Sequence, residues 1–320
     1  MGISASRKRG LSTTMAIAVV TALSAQVAEL KPDHFRVASY ASDGFDVNSR
    51  LIIFPSEGKE FSVPLPATLR YVVYGASGQT VYAGAFKRLD SKTGTHLPGL
   101  FKIELSPVRL NPLPGLDSFS SIGRFAVSRL EDMILFAGVR NDSGSRTCGI
   151  YELNLPAGNL RPVLETTDCK AESPWRVFDI SPDGTGALIT ADRHLAVVDL
   201  VTGKLSPLEK DLWVGSYSPD GKWIAALELG APGQSKTVLI DPKDSSRRRD
   251  LGGTNDDEVV WSPDSRFLLH AVYRPACPSR NPLALETLDA ETGKRIILKS
   301  SICNAGSGRE IGWVSSKIGR

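Results

Sequence analysis

The chain has 320 residues, with 38 Lys and Arg against 35 Asp and Glu and a formal charge of +3. So even a balance excludes the one-signed electrostatic footprint of a nucleic-acid or acidic-surface binder. The hydrophobic share of 41% is that of an ordinary globular protein, and 29 Gly with 20 Pro suits many short strands joined by turns.

The N-terminus reads as a targeting segment. Arg7-Lys8-Arg9 gives a positive start, Leu11 to Ala25 a mostly apolar run, and Ala22-Leu23-Ser24-Ala25 small residues near a cleavage point. The run is too short and too rich in Ser and Thr for a membrane span. No Cys follows it, so a lipid anchor has no attachment residue. Residues 1–25 are therefore expected to be a cleaved secretory signal. Residues 30–320 read as one exported domain with no transmembrane span, periplasmic or extracellular.

In chain order, the first strand-like runs are Phe35 to Tyr40, Arg50 to Phe54 and Glu60 to Leu65. A strand–turn–strand unit follows, Tyr71 to Tyr74, Gly75-Ala76-Ser77-Gly78, then Thr80 to Gly84. A second runs from Phe125-Ala126-Val127-Ser128 to Met133–Ala137. Three clear copies come next. Ser181-Pro182-Asp183-Gly184 follows Phe178-Asp179-Ile180, Ser218-Pro219-Asp220-Gly221 follows Val214 to Tyr217, and Ser262-Pro263-Asp264-Ser265 follows Val259-Val260-Trp261. Pro presets φ for a turn, Asp accepts neighbouring backbone N–H groups, and Gly supplies positive φ. A last copy begins at Glu310-Ile311-Gly312-Trp313, which matches Glu258-Val259-Val260-Trp261. Asp199 to Lys204 and Asp289 to Lys294 read as turns between the third and fourth strands of a unit.

Successive anchors lie 37 to 53 residues apart, the length of a four-stranded propeller blade. The pattern gives five complete blades. A sixth combines the C-terminal strand at Trp313 with the three N-terminal strands. The expected fold is an all-β, six-bladed β-propeller closed by its two termini, which removes exposed sheet edges.

Four cysteines occur: Cys148, Cys169, Cys277 and Cys303. Export permits disulfides. The midpoint of Cys148 and Cys169 falls beside the turn at Pro156-Ala157-Gly158, and that of Cys277 and Cys303 inside the turn at Asp289 to Gly293. Each pair would face across a hairpin, so Cys148–Cys169 and Cys277–Cys303 are expected. No Cys-x-x-Cys pair or His at ligand spacing supports zinc.

The Ser-Pro-Asp-Gly copies, aromatic before and apolar after, resemble the WD40-like (PD40) repeats of TolB-type six-bladed propellers. The resemblance is carried mainly by residues 174–316 and implies an exported protein-binding propeller. The separate N-terminal α/β domain of that family has no counterpart here. Related propellers precede the catalytic domain of prolyl oligopeptidase-like peptidases, but the chain has no Gly-x-Ser-x-Gly elbow.

Candidate chemistry is sparse. His34, His96, His194 and His270 lack metal-ligand spacing. Asp211, Asp257 and Glu310 precede innermost strands, and a shared place at a channel mouth is the one metal arrangement the sequence offers. Arg247-Arg248-Arg249 reads as a solvated hairpin turn. The five tryptophans, Trp175, Trp213, Trp223, Trp261 and Trp313, read as packing between blades, with Trp175 and Trp213 the two most open to exposure. The candidate recognition loops are residues 88–99, 140–147, 229–235 and 273–282.

The leading expectation is a non-enzymatic, exported scaffold that binds a protein partner, with no cofactor, no catalytic residue and no nucleic acid. The alternative is a lactonase-like hydrolase working in the central channel, with a small molecule or metal.

Overall fold

The computed structural model describes residues 35–42, 49–54, 61–64, 69–88, 96–142, 145–169, 174–191, 194–208, 211–230, 235–254, 256–273, 283–302 and 311–315. The expected signal, Cys277, Cys303 and Glu310 lie outside them. Among the described residues the chain is all-β and folds as a propeller of four-stranded antiparallel sheets.

The first of these in chain order is β4 (Leu69–Tyr74), β5 (Thr80–Arg88), β6 (His96–Leu105) and β7 (Val108–Pro112). Next come β8 (Phe119–Val127), β9 (Met133–Asp142), β10 (Ser145–Asn154) and β11 (Leu160–Thr166). The third holds β12 (Arg176–Ile180), β13 (Gly186–Ala191), β14 (His194–Asp199) and β15 (Leu205–Pro207). The fourth holds β16 (Leu212–Tyr217), β17 (Ile224–Leu229), β18 (Ser235–Asp241) and β19 (Asp244–Thr254). The fifth is β20 (Asp256–Trp261), β21 (Phe267–Tyr273), β22 (Leu283–Asp289) and β23 (Arg295–Ile302). A further sheet runs in the order β24 (Ile311–Ser315), β1 (Phe35–Ser42), β2 (Ser49–Phe54) and β3 (Phe61–Pro64), with Val37 opposite Trp313.

The repeated turn explains why each hairpin forms where it does. In the Ser181 copy the Ser181 N–H donates to the Gly186 carbonyl at 2.8 Å, and the Gly184 N–H to the Ser181 carbonyl at 2.8 Å. The Ser181 hydroxyl donates to Asp183 at 2.6 Å and accepts the Gly186 N–H at 2.8 Å. Asp183 also accepts the Thr185 N–H at 3.1 Å. Ser218 with Asp220 and Ser262 with Asp264 repeat the arrangement. The fourth turn residue has positive φ in each: Gly184, Gly221 and, without a glycine, Ser265. Ser128 heads the same turn with Asp132 as its carboxylate and Glu131 at positive φ. The Gly75 turn has no Ser–Asp pair of its own. Glu131 enters it from the next sheet, accepting the Ser77 N–H at 3.0 Å, the Tyr82 hydroxyl at 3.1 Å and the Thr80 hydroxyl.

The outer turns use a different acid. Asp199 accepts the Val201 and Thr202 N–H groups at 3.0 and 2.7 Å, and Asp289 those of Glu291 and Thr292 at 3.0 and 2.8 Å. Both join third to fourth strands, as the sequence indicates.

The core lies between sheets. Phe119, Phe136 and Tyr151 pack edge-on and stacked beside Tyr82 and Leu100. Ile150, Val177 and Ile189 fill the next interface, then Leu188, Leu212 and Ile224, then Val214, Trp261 and Leu268. Leu269, Leu285 and Ile311 join the fifth sheet to β24, and Leu51, Val72, Val81 and Val314 join the terminal sheet to the first. At that last interface the Tyr74 ring lies on Gly312, where a Cβ would stand 2.1 Å from Cδ2. Burying a large aliphatic or aromatic side chain stabilises by roughly 1.5–3 kcal/mol, so these interfaces dominate the favourable side of the energetics.

The structure holds no bond between Cys148 and Cys169: Cys148 stands opposite Thr166, and the Cys169 sulfur lies 3.7 Å from the Arg146 carbonyl. Two expectations need correction. Residues 140–147 are not an open loop: β9 and β10 extend through most of them. Arg247–Arg249 is part of strand β19, where Arg247 pairs with Asp241 at 2.9 Å, Arg248 with Glu228, and Arg249 donates to the Glu291 carbonyl. No helix among the described residues is long and apolar enough to cross a membrane.

Candidate functional site at the central channel

The innermost strands β4, β8, β12, β16, β20 and β24 line a cavity of about 200 Å³. Its wall is largely apolar and aromatic, with Tyr71, Tyr74, Phe178, Tyr217, Trp261 and Trp313 among its residues. Three charged side chains interrupt it: Arg124, Arg129 and Asp179.

Local irregularities place them. β8 carries an extra residue between Ile122 and Phe125, and β12 one between Val177 and Asp179. Such bulges re-aim side chains and are common beside functional sites. Arg124 projects from the first bulge, and its guanidinium lies over the Phe178 ring at 4.8 Å from the centroid, the residue inserted by the second. Arg129 is positioned by the repeat. It occupies the second residue of the Ser128 turn, the place taken by Pro219 and Pro263 in their copies, and those prolines also line the cavity.

Asp179 is fixed by its own chain. It accepts the Tyr217 N–H at 2.7 Å, the Ser216 hydroxyl at 3.0 Å and the Ile180 N–H at 2.9 Å. Burial nonetheless outweighs these bonds and the nearby Arg129 charge, so its carboxyl sits above the ordinary aspartate range. Burial also lowers the Arg129 guanidinium from its ordinary value. Asp179 and Asp220 oppose that shift through space, without a hydrogen bond. The Tyr217 hydroxyl is pushed well above the ordinary tyrosine value by burial and then by Asp179. The cavity thus presents one carboxylate already saturated with donors and one dehydrated cation with donors to spare.

The sequence points elsewhere. Asp211 is an exposed turn residue at positive φ whose carbonyl accepts the Leu229 N–H. Asp257 lies within β20, and Glu310 is outside the described residues. No metal-binding group of His, Cys, Asp and Glu occurs among the described residues. Ser181, Pro182, Asp183, Gly184, Ser218, Asp220, Gly221, Ser262 and Asp264 act in turns. His194 is exposed, and His270 is wholly buried in β21, away from the cavity wall. Trp175, Trp213 and Trp223 pack against inter-sheet clusters. The Trp261 indole N–H donates to the Ser216 carbonyl at 3.0 Å. Arg124, Arg129 and Asp179 were not singled out by sequence. The usable signal was a charged residue standing where other copies of the turn carry Pro.

No family model matches the chain, and no curated protein matches it. Solved structures do. TolB from Acinetobacter baumannii is similar over 93% of this chain and 71% of its own, with a TM-score of 0.65 and 17% identity. A protein assigned as TolB from Agrobacterium tumefaciens is similar over 88% of this chain and 98% of its own, at TM-score 0.59 and 13% identity. One assigned as a 6-phosphogluconolactonase from Bacteroides uniformis is similar over 88% of this chain and all of its own (100%), at TM-score 0.51 and 14% identity. At these identities the likeness carries the fold, an all-β propeller shared by TolB-type proteins, and not an activity.

Proposed function

We propose that the chain is an exported, non-enzymatic propeller that binds a protein partner at the mouth of its central channel. In this reading the six sheets are the blades of one closed ring, sealed by the pairing of β24 with β1. Residues 1–25 direct export to the periplasm or beyond.

The observation that carries the reading is Arg129. It is a guanidinium at the cavity wall, partly dehydrated, with its nearest carboxylates acting only through space. A desolvated cation with unused donors favours an incoming carboxylate, because a bidentate pair restores the hydrogen bonds that burial removed. The cavity of about 200 Å³ is smaller than the roughly 300–1,000 Å³ that encloses a drug-sized ligand. It suits one or two side chains, or the end of a peptide, against the aromatic wall. Likeness to TolB-type propellers is consistent with a protein partner. The test is affinity capture of the full chain from its native host, alongside an Arg129→Gln variant. A partner retained by wild type and lost by the variant is expected. Equal capture by both overturns the reading.

A channel hydrolase is the second reading, favoured by one feature, the raised Asp179 carboxyl beside a cation. Hydrolysis of lactone substrates by the purified chain, abolished by Asp179→Asn, would replace the first reading.

A further inference from the structure

We propose that the channel cavity receives the free C-terminus of a partner chain, with Arg129 holding the terminal carboxylate and Tyr71 and Phe178 framing an aromatic last side chain. The inference rests on the channel reading and names the part of the partner that enters.

In three inner strands the bulged residue lines the cavity. The pairing of β4 with β5 skips Tyr71, that of β12 with β13 skips Phe178, and Arg124 stands in the bulge of β8. Tyr71 has φ 49°, a left-handed conformation that is strained for an aromatic residue. Such strain gathers at ligand clamps, where the surrounding structure enforces it. Val72 beside it enters the inter-sheet core, while Tyr71 stays 38% exposed at the cavity wall. Core packing therefore does not account for the conformation.

Charge sets what enters. The lining residues carry two guanidiniums against one carboxyl, so the cavity favours an anion. Asp179 spends its acceptors on Tyr217, Ser216 and Ile180. Arg129 feels its charge without a hydrogen bond to it. Asp179 follows Phe178 in β12, which brings the Arg129 guanidinium close to the level of that ring.

Size selects a chain end. A terminal residue carries its carboxylate and its side chain on one α-carbon, so both enter a cavity of about 200 Å³ together. An internal acidic residue brings main chain in on both sides, and its amides lose water against an apolar wall.

The test uses the full chain and a fluorescein-labelled peptide of glycine and serine that ends in phenylalanine with a free carboxyl. Saturable binding by fluorescence anisotropy is expected. Amidating the terminus, or ending in serine, should each weaken it by about tenfold or more. Arg129→Pro should do the same to the free acid. Other copies of the turn carry Pro there, so this variant keeps its fold, which circular dichroism melts check. Tyr71→Gly should weaken binding without lowering the melting temperature, because glycine adopts that φ without strain. No saturable binding, equal binding of acid and amide, or full binding by Tyr71→Gly overturns the proposal. So does N-acetylphenylalanine binding as tightly as the peptide, because the site then takes a small acid. The channel reading survives each of these if Arg129→Gln still abolishes capture of the partner, and fails with the proposal if it does not.

Discussion

The Asp179 carboxylate accepts the Tyr217 N–H at 2.7 Å across the boundary between two sheets. Tyr217 immediately precedes the Ser218 turn, so one acid of the third sheet sets the approach of the fourth at the channel wall. Hydrogen bonds to a charged group contribute about 1.5–3 kcal/mol. Asp179→Ala should therefore destabilise the protein by about that much in urea unfolding. Asp179→Asn should cost less, since it keeps an acceptor and discards a charge that burial disfavours. The folded carboxyl is raised, so its contribution is fully present below the ordinary aspartate range and lost as pH rises through the folded value. The gap between wild type and Asp179→Asn should shift in the variant's favour over that rise. Equal costs for Ala and Asn at all pH values would contradict this.

Glu131 behaves in the opposite sense. Its bonds to Thr80, Ser77 and Tyr82 hold its carboxyl below the ordinary value although burial pushes upward. The stability it supplies is present above the unfolded value of about 4.3 and disappears as pH falls through the folded value. Glu131→Gln should flatten the acid limb of a stability–pH curve measured by thermal melts. An unchanged limb would show that the carboxylate does not complete the Gly75 turn.

Gly312 allows the Tyr74 ring to cross β24 at a distance no side chain permits. Gly312→Ala should cost about 1–3 kcal/mol, the usual penalty of overpacking. Adding Tyr74→Ala should recover part of it, a coupling visible in a double-mutant cycle. Additive costs would mean that the terminal sheet does not bear on β4 in solution.

The two described thiols differ in access. Cys169 is half-buried and Cys148 fully buried, with no bond between them in the structure. Mapping by mass spectrometry after brief labelling of the native chain should show Cys169 modified first and Cys148 only on unfolding. A tryptic fragment linking the two would contradict the register of β10 and β11.

The propeller was legible because its turns are chemically explicit. Ser, Asp and a residue at positive φ make the same hydrogen bonds in the Ser181, Ser218 and Ser262 copies, and periodicity supplies the strands. Weaker copies were still found at Gly75 and Ser128, though Glu131 serves a turn 54 residues away, which no local pattern reveals. The hairpin pairs about a point nearer residue 157 than the midpoint of the two cysteines, so Cys148 stands opposite Thr166 and Cys169 lies beyond the end of β11. The channel site is hidden from local sequence by irregular register. Bulges in β8 and β12 accompany Arg124, Phe178 and Asp179 at the channel, and bulges leave little trace in composition. Arg129 was readable only by asking what replaces Pro in an altered turn.

Recognition at the channel mouth can be tested from the residue beside Arg129. Leu130 is 58% exposed in the same turn, and Val201, 81% exposed in an outer turn, provides the control position. A photo-cross-linking amino acid at each position, in the full chain expressed in its native host, reads the surface directly. The account predicts a discrete partner band from position 130, absent from position 201 and lost when Arg129→Gln is added. A band that survives Arg129→Gln, or the same band from both positions, would contradict it.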